Sequence, residues 1–149
     1  MTVLTKEELR RLRKATEGRD YMTKQLYDTL QKVFKWLDEV IPVGFFIHFK
    51  PKSEQNYYPQ HHYRIAKKLD PLTYVTDWYF ADTKITLDYD AWKNINPLDN
   101  KLSRDDILFL SKNLDVIIKA IKDKMNADTQ ELQETLNFVQ ETVFKEANQ

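Results

Sequence analysis

Cysteine is absent from this chain of 149 residues, and glycine occurs only twice. Without cysteine the chain can form neither disulfides nor thiolate metal sites, and it has no thiol nucleophile. Phosphate-cradling loops need several glycines, so the common nucleotide-binding fingerprints are excluded as well. None of the three serines lies in a nucleophile-elbow motif, which argues against serine catalysis. These absences favour a protein that acts by binding.

Long apolar runs are also missing. The longest, Val40–Ile47, contains Pro42 and Gly44 and is far shorter than the roughly 20 residues of a membrane helix, so no membrane partner is predicted. Residues 1–14 are too charged for a secretory signal, and together with the lack of cysteine this predicts a cytoplasmic location. The net charge is zero, but residues 1–24 carry +3 and residues 99–149 carry −3.

Four amphipathic helices are predicted from capping signals and apolar spacing. Thr5 and Glu8 form a capping box, and Ser103 with Asp106 repeats the pattern. Gly18 stands where the first helix is expected to end in a left-handed residue. The last helix carries a narrow seam of apolar residues in 4-3-4 spacing, with Phe138 and Phe144 outside that seam. The predicted helices are Lys6–Glu17, Tyr21–Val40, Arg104–Met125 and Thr129–Ala147.

The centre of the chain is typical of β-structure, since residues 45–92 hold twelve of the nineteen aromatic residues. A tight turn at Ala81–Lys84 would pair Phe80 with Ile85 and Trp78 with Leu87, which places the large apolar side chains on one face. This register predicts a hairpin between the third and fourth strands. The predicted strands are Val43–Lys50, His61–Lys67, Thr73–Ala81 and Lys84–Asp90.

These elements predict a single α+β domain over residues 1–149. Two N-terminal helices precede a four-stranded antiparallel meander, and two C-terminal helices pack on one face of the sheet. Short connections favour the meander because consecutive strands then lie side by side.

The predicted hairpin places Asp77 directly opposite Asp88. Such a pair of carboxylates could hold a divalent cation or perform acid–base chemistry, and it forms the basis of one alternative, a metal-assisted enzyme. No metal-ligating motif accompanies these residues, and the histidines follow no metal-ligand spacing. A solvated acidic face near Arg64 is the favoured interpretation, and neither a metal nor a cofactor is predicted.

The favoured function is a small non-catalytic protein-binding module that occupies a surface on a partner protein, as inhibitors or adaptors from phages and mobile elements do. Tyrosines in the loop before the second strand, a basic edge and the outer face of the last helix would form the contacts. A homodimer through the last helix is a separate possibility. The predicted contact residues are Tyr57, Tyr58, Lys50, Lys52, Arg64, Lys67, Phe138 and Phe144.

A further alternative is single-stranded nucleic-acid binding through the first two strands. Basic residues there alternate with Tyr57, Tyr58 and Tyr63, and such a mixture suits backbone attraction and base stacking. The net charge of zero counts against this alternative, because dedicated binders of nucleic acid carry a basic footprint.

Overall fold

The computed structural model describes residues 3–54, 61–70, 72, 74–84, 92–95 and 102–144. Over these residues the protein is α+β, and the four strands form an antiparallel sheet in the order β1-β2-β3-β4, as the predicted meander requires. Three α-helices are present in this part of the chain instead of the predicted four. The elements are α1 Lys6–Asp38, β1 Phe46–Phe49, a 3-10 turn Lys52–Glu54, β2 His61–Leu69, β3 Thr76–Lys84, β4 Trp92–Asn94, α2 Arg104–Lys112, α3 Leu114–Val139 and a π-helical turn Gln140–Phe144.

Helix α1 is one continuous helix of 33 residues, so the predicted break at Gly18 is wrong. Its start follows the prediction, because Thr5 and Glu8 form the expected capping box. A single glycine costs a helix only about 1 kcal/mol relative to alanine. Leu30 and Phe34 anchor the following turns in the core, and the helix therefore continues through Gly18.

The C-terminal helices divide at Asn113 and not near residue 127 as predicted. The Asn113 side chain accepts a hydrogen bond from the Lys52 amide at 2.9 Å and donates one to the Phe109 carbonyl at 2.9 Å. These bonds fix the break between α2 and α3. The predicted helix start at Thr129 does not occur, because α3 runs through this position and the Thr129 hydroxyl donates to the Met125 carbonyl.

The third and fourth strands do pair antiparallel, but the predicted turn and register of their hairpin are wrong. Residues 81–84 continue β3 and pair with β2, so Phe80 lies opposite Ile65 on one side and Lys93 on the other. The apolar side chains of β3 also share one face when β3 pairs with β2. Alternation alone therefore could not determine which strand residues 81–84 pair with. The remainder of the predicted fourth strand, residues 85–90, lies outside the described residues, and the observed β4 is Trp92–Asn94.

The core lies between one face of the sheet and the helices. Alternate strand residues and residues from all three helices join in one buried cluster. Its most deeply buried members include Leu30, Ile65, Phe80, Leu110 and Ile117. We call the opposite sheet face the outer face. It carries the strand residues that alternate with the core residues, such as Phe46, His48, Arg64, Lys68 and Trp92. None of the helices in the described part of the chain combines the length and the apolar composition that crossing a bilayer requires.

Candidate interaction surfaces

The predicted loop contacts fall partly outside the described residues. Tyr57 and Tyr58 both lie outside the described residues, so their role as contact residues stays a prediction. Lys52 is described, and its ammonium group lies 2.8 Å from the Asp115 carboxylate. This contact, a hydrogen-bonded ion pair, holds the pKa of the Asp115 carboxyl below its ordinary value. Lys50 immediately precedes Pro51 and is half-buried.

Lys67 lies in the interior and not on a basic surface edge. Its side chain faces the core because it shares strand parity with Ile65, and only 7% of the residue is exposed. The ammonium group donates to the carbonyls of Asp38 at 2.8 Å and Ile41 at 2.6 Å, and it lies 2.9 Å from the Asp38 carboxylate. Lys67 therefore serves the C-terminal end of α1, where a cation is favoured by the helix dipole.

Arg64 and Lys68 lie together on the outer face with two aromatic rings. The Arg64 guanidinium carbon is 5.2 Å from the centre of the Trp92 ring. The Lys68 ammonium group is 4.6 Å from the same ring and 4.9 Å from that of Tyr79. All three distances fall within the range of cation–π attraction. Burial lowers the pKa of the Lys68 amine. The sequence prediction missed Trp92 because the predicted fourth strand ended before it.

The outer face continues onto β1 with further aromatic character. The Phe46 and His48 rings meet edge to face, with centroids 5.7 Å apart, and Phe46 is exposed. His48 lies opposite Arg64 in the β1–β2 register. Across β1, β2 and β4 the outer face therefore combines aromatic rings with basic groups.

A cleft lies between α1 and the start of β3. Its volume is about 410 Å³, within the size range of small-molecule sites. Burial raises the pKa of the nearby Tyr27 hydroxyl, which neighbours Gln31 and Asp77. Among the described lining residues there is no serine, cysteine or histidine, so the usual pairing of nucleophile and base is missing from this part of the cleft.

The tight turn predicted to bring Asp77 opposite Asp88 is absent, because residues 81–84 continue β3. Asp77 lies opposite Lys68 in the β2–β3 register, and its carboxylate accepts a hydrogen bond from the Trp78 amide at 2.9 Å. Asp88 lies outside the described residues. Within the described part of the chain, no group of three or more histidine, cysteine or acidic residues could hold a metal ion.

One apolar stripe follows the whole of α3 and enters the π-helical turn. At 100° per residue, its members fall within an arc of about 100°. In the first half of the helix the stripe is buried in the core at Ile117 and Ile121. In the second half the same stripe is exposed, with Leu132 71% and Leu136 50% accessible. The exposed members are Leu132, Leu136, Val139 and Val143.

Every residue from 129 to 144 is exposed, and we call this segment the α3 arm. Phe138 and Phe144, both predicted contact residues, belong to it and expose 64% and 59% of their surfaces. The arm carries Glu131, Glu134 and Glu141 but neither lysine nor arginine. It therefore combines an apolar seam with net negative charge.

The first three turns of α1 form a second exposed segment, residues 6–17, which we call the α1 arm. Leu9 and Leu12 lie on one face of it and expose 48% and 53% of their surfaces. Five basic residues outnumber three acidic ones, and the arm has a net charge of +2. Its basic residues are Lys6, Arg10, Arg11, Arg13 and Lys14.

Comparison of the chain with protein-family models, with curated proteins and with solved structures finds no match.

Proposed function

We propose that this protein is a non-catalytic protein-binding module whose contact surface is the α3 arm. The observation that carries the proposal is the apolar stripe of α3, which is core over the first half of the helix and exposed over the second. A helix face with this pattern supports docking, because amphipathic helices bind partner grooves through residues one turn apart.

The partner that suits this arm has an apolar surface with basic residues at its rim. Burying a leucine of the seam contributes about 1.5–3 kcal/mol, whereas a rim charge mainly affects the association rate and the choice of partner. The glutamates of the arm have no basic residue of the same arm beside them, so a basic rim on the partner provides the complementary charge. By occupying a surface in this way, the module would act as an inhibitor or adaptor. The lack of cysteine fits the reducing cytoplasm that we propose as its location.

Pull-down with tagged protein from a bacterial lysate, in nuclease-treated and untreated halves, tests this function. Leu136→Glu places a charge in the seam, and Asn137→Glu makes the same charge change on the opposite side of the arm. We expect a protein retained after nuclease treatment by the wild type and by Asn137→Glu, and about 10- to 100-fold weaker binding by Leu136→Glu. Equal retention by both variants would contradict the proposed surface.

A second candidate function is single-stranded nucleic-acid binding on the outer face of the sheet. The specific observation in its favour is the cluster of Arg64, Lys68 and Trp92, since basic groups beside an aromatic ring can attract a backbone and stack a base. This candidate replaces Lys67, whose amino group is buried, with Lys68.

Fluorescence titration of a mixed-sequence single-stranded oligonucleotide at several salt concentrations tests this candidate. Arg64→Ala with Lys68→Ala should weaken binding and lower the salt slope by about 1.4, because each phosphate that a cation neutralises adds roughly 0.7 to the slope. Lys119→Ala with Lys122→Ala removes the same charge from α3 and should leave the slope unchanged. Binding that is insensitive to salt would refute this candidate.

A further inference from the structure

We infer that the partner of the α3 arm is the α1 arm of a second copy of this chain. This inference rests on the proposed function, because it uses the same apolar seam. It adds the identity of the occupant, and it predicts that the protein associates with itself through two different helical segments.

The two arms match in their apolar surfaces. Each is a helical extension of an element whose other half is anchored in the core, so neither arm bears the full cost of helix nucleation. At 1.5 Å per residue the α1 arm is about 18 Å long and the α3 arm about 24 Å, so they can lie side by side over several turns. Leu9 and Leu12 of one arm would then cover part of the exposed seam of the other.

Charge selects this pairing over the symmetric alternatives. Two α3 arms side by side would bring six carboxylates together without a lysine or arginine, and two α1 arms would bring a net charge of +4. An α1 arm against an α3 arm leaves a net charge of only −1. Like charges held close together are unfavourable, so the mixed pair is the stable one and a dimer of α3 arms alone is disfavoured.

The individual positions support the same choice. Lys6 and Arg13 lie three and four residues from Leu9, so both border the apolar face of the α1 arm. Arg10 and Arg11 are engaged by Glu7 within their own helix, at 2.7 and 3.5 Å. On the α3 arm, Glu131 lies between Phe138 and the apolar seam when the helix is viewed down its axis, because successive residues are 100° apart.

Reciprocal pairing would close the association at two copies. If the α1 arm of each copy packs on the α3 arm of the other, the same contact occurs twice about a two-fold axis. The expected species is therefore a dimer of twice the 17.9 kDa chain mass.

Light scattering of the full chain after size exclusion, over a range of concentrations, gives the first test. We expect the wild type to reach the dimer mass. Lys6→Glu with Arg13→Glu should shift it to monomer, and so should Glu131→Lys with Glu134→Lys. Arg11→Glu with Lys14→Glu makes the same change of net charge on the opposite side of the α1 arm, farther from the contact, and should weaken the dimer much less.

Mixing the two charge-reversed proteins gives the decisive test. In the mixture every acidic α1 arm can meet a basic α3 arm, and every basic α1 arm can meet an acidic α3 arm. We therefore expect a mixed dimer from two proteins that are each monomeric alone. Circular dichroism of each variant verifies that the reversed charges leave the fold intact.

A monomeric wild type at all concentrations would overturn the inference, and so would a mixture that stays monomeric or an equal loss of dimer in the Arg11→Glu, Lys14→Glu control. None of these results would by itself refute the proposed function. A monomeric protein that loses a captured partner through Leu136→Glu would still be a binding module, but for a different occupant.

Discussion

The amino group of Lys67 joins the end of α1 to the centre of the sheet. It donates hydrogen bonds to the carbonyls of Asp38 and Ile41, and it contacts the Asp38 carboxylate. Carbonyls at the C-terminal end of a helix have no amide partner within the helix. One buried side chain thereby satisfies polar groups that would otherwise lose water without gaining a partner. The orientation of α1 on the sheet depends on this bond set.

Replacement of Lys67 by methionine should destabilise the fold. The change leaves two carbonyls and a partly exposed carboxylate without their donor, and we expect the free energy of unfolding to fall by about 2–3 kcal/mol. Urea denaturation measures this loss. Lys68→Met, the neighbouring change on the outer face, is the matched control and should cost less than about 1 kcal/mol. Similar losses in both variants would contradict the role of Lys67.

The contact between Lys52 and Asp115 predicts a pH dependence in the acid range. Because the hydrogen bond from Lys52 lowers the pKa of Asp115 in the folded state, its stabilisation is present above the ordinary carboxyl pKa and is lost as the pH falls. The difference in unfolding free energy between the wild type and Asp115→Asn should therefore shrink below about pH 4. Lys52→Met removes the same contact and should give the same profile. A difference that stays constant throughout the acid range would contradict the assignment.

At the scale of the element, α1 shows that a single glycine does not decide where a helix ends. Gly18 lies inside the helix, its φ is not positive, and an added Cβ would meet no atom within 4 Å. Gly44 differs, because its φ of 89° belongs to the left-handed region. Replacement by alanine is therefore expected to change the stability of the fold in opposite directions at the two glycines.

Gly18→Ala should stabilise the protein by about 0.5–1 kcal/mol, since alanine is the better helix former and restricts the unfolded chain. Gly44→Ala should destabilise it, because a side chain is strained at positive φ. Thermal unfolding of the two variants beside the wild type measures both effects. Destabilisation by Gly18→Ala would instead support the helix end that the sequence predicts there.

At the scale of the whole molecule, the core and the two arms are expected to contribute to different free energies, that of folding and that of association. The buried cluster draws on the sheet, the C-terminal half of α1, the apolar face of α2 and the first half of α3. The α3 arm contributes no buried residue to it. Stability should therefore depend on the core, whereas association should depend on the arms.

A chain that ends at Asp128 tests this separation. We expect its free energy of unfolding, measured at low concentration, to lie within about 1 kcal/mol of the wild-type value, because exposed residues contribute little to stability. The dimer of paired α1 and α3 arms should be lost at the same time, as light scattering would show. A loss of several kcal/mol in the dilute chain would mean that the arm supports the core.

The sequence predicted those features that depend on local chemistry. The capping boxes at Thr5 and Ser103 form as expected, and so do the α+β class and the strand order of the meander. Caps are set by residues three positions apart, and meander order follows from short connections. Phe138 and Phe144 are exposed, and their spacing places them outside the seam of their own helix; their role as contact residues stays a prediction.

Tertiary structure alone decided where helices break, which strands pair and which lysine is buried. The break at Asn113 depends on the Lys52 amide, 61 residues away along the chain. The register of β3 depends on β2, because alternation fits either neighbour equally well. Lys67 and Lys68 are adjacent, and strand alternation puts them on opposite faces of the sheet; the packing of the helices on one face makes the Lys67 side the core and leaves Lys68 beside Trp92. Local sequence sets the propensity of each segment, whereas these outcomes depend on contacts between distant residues.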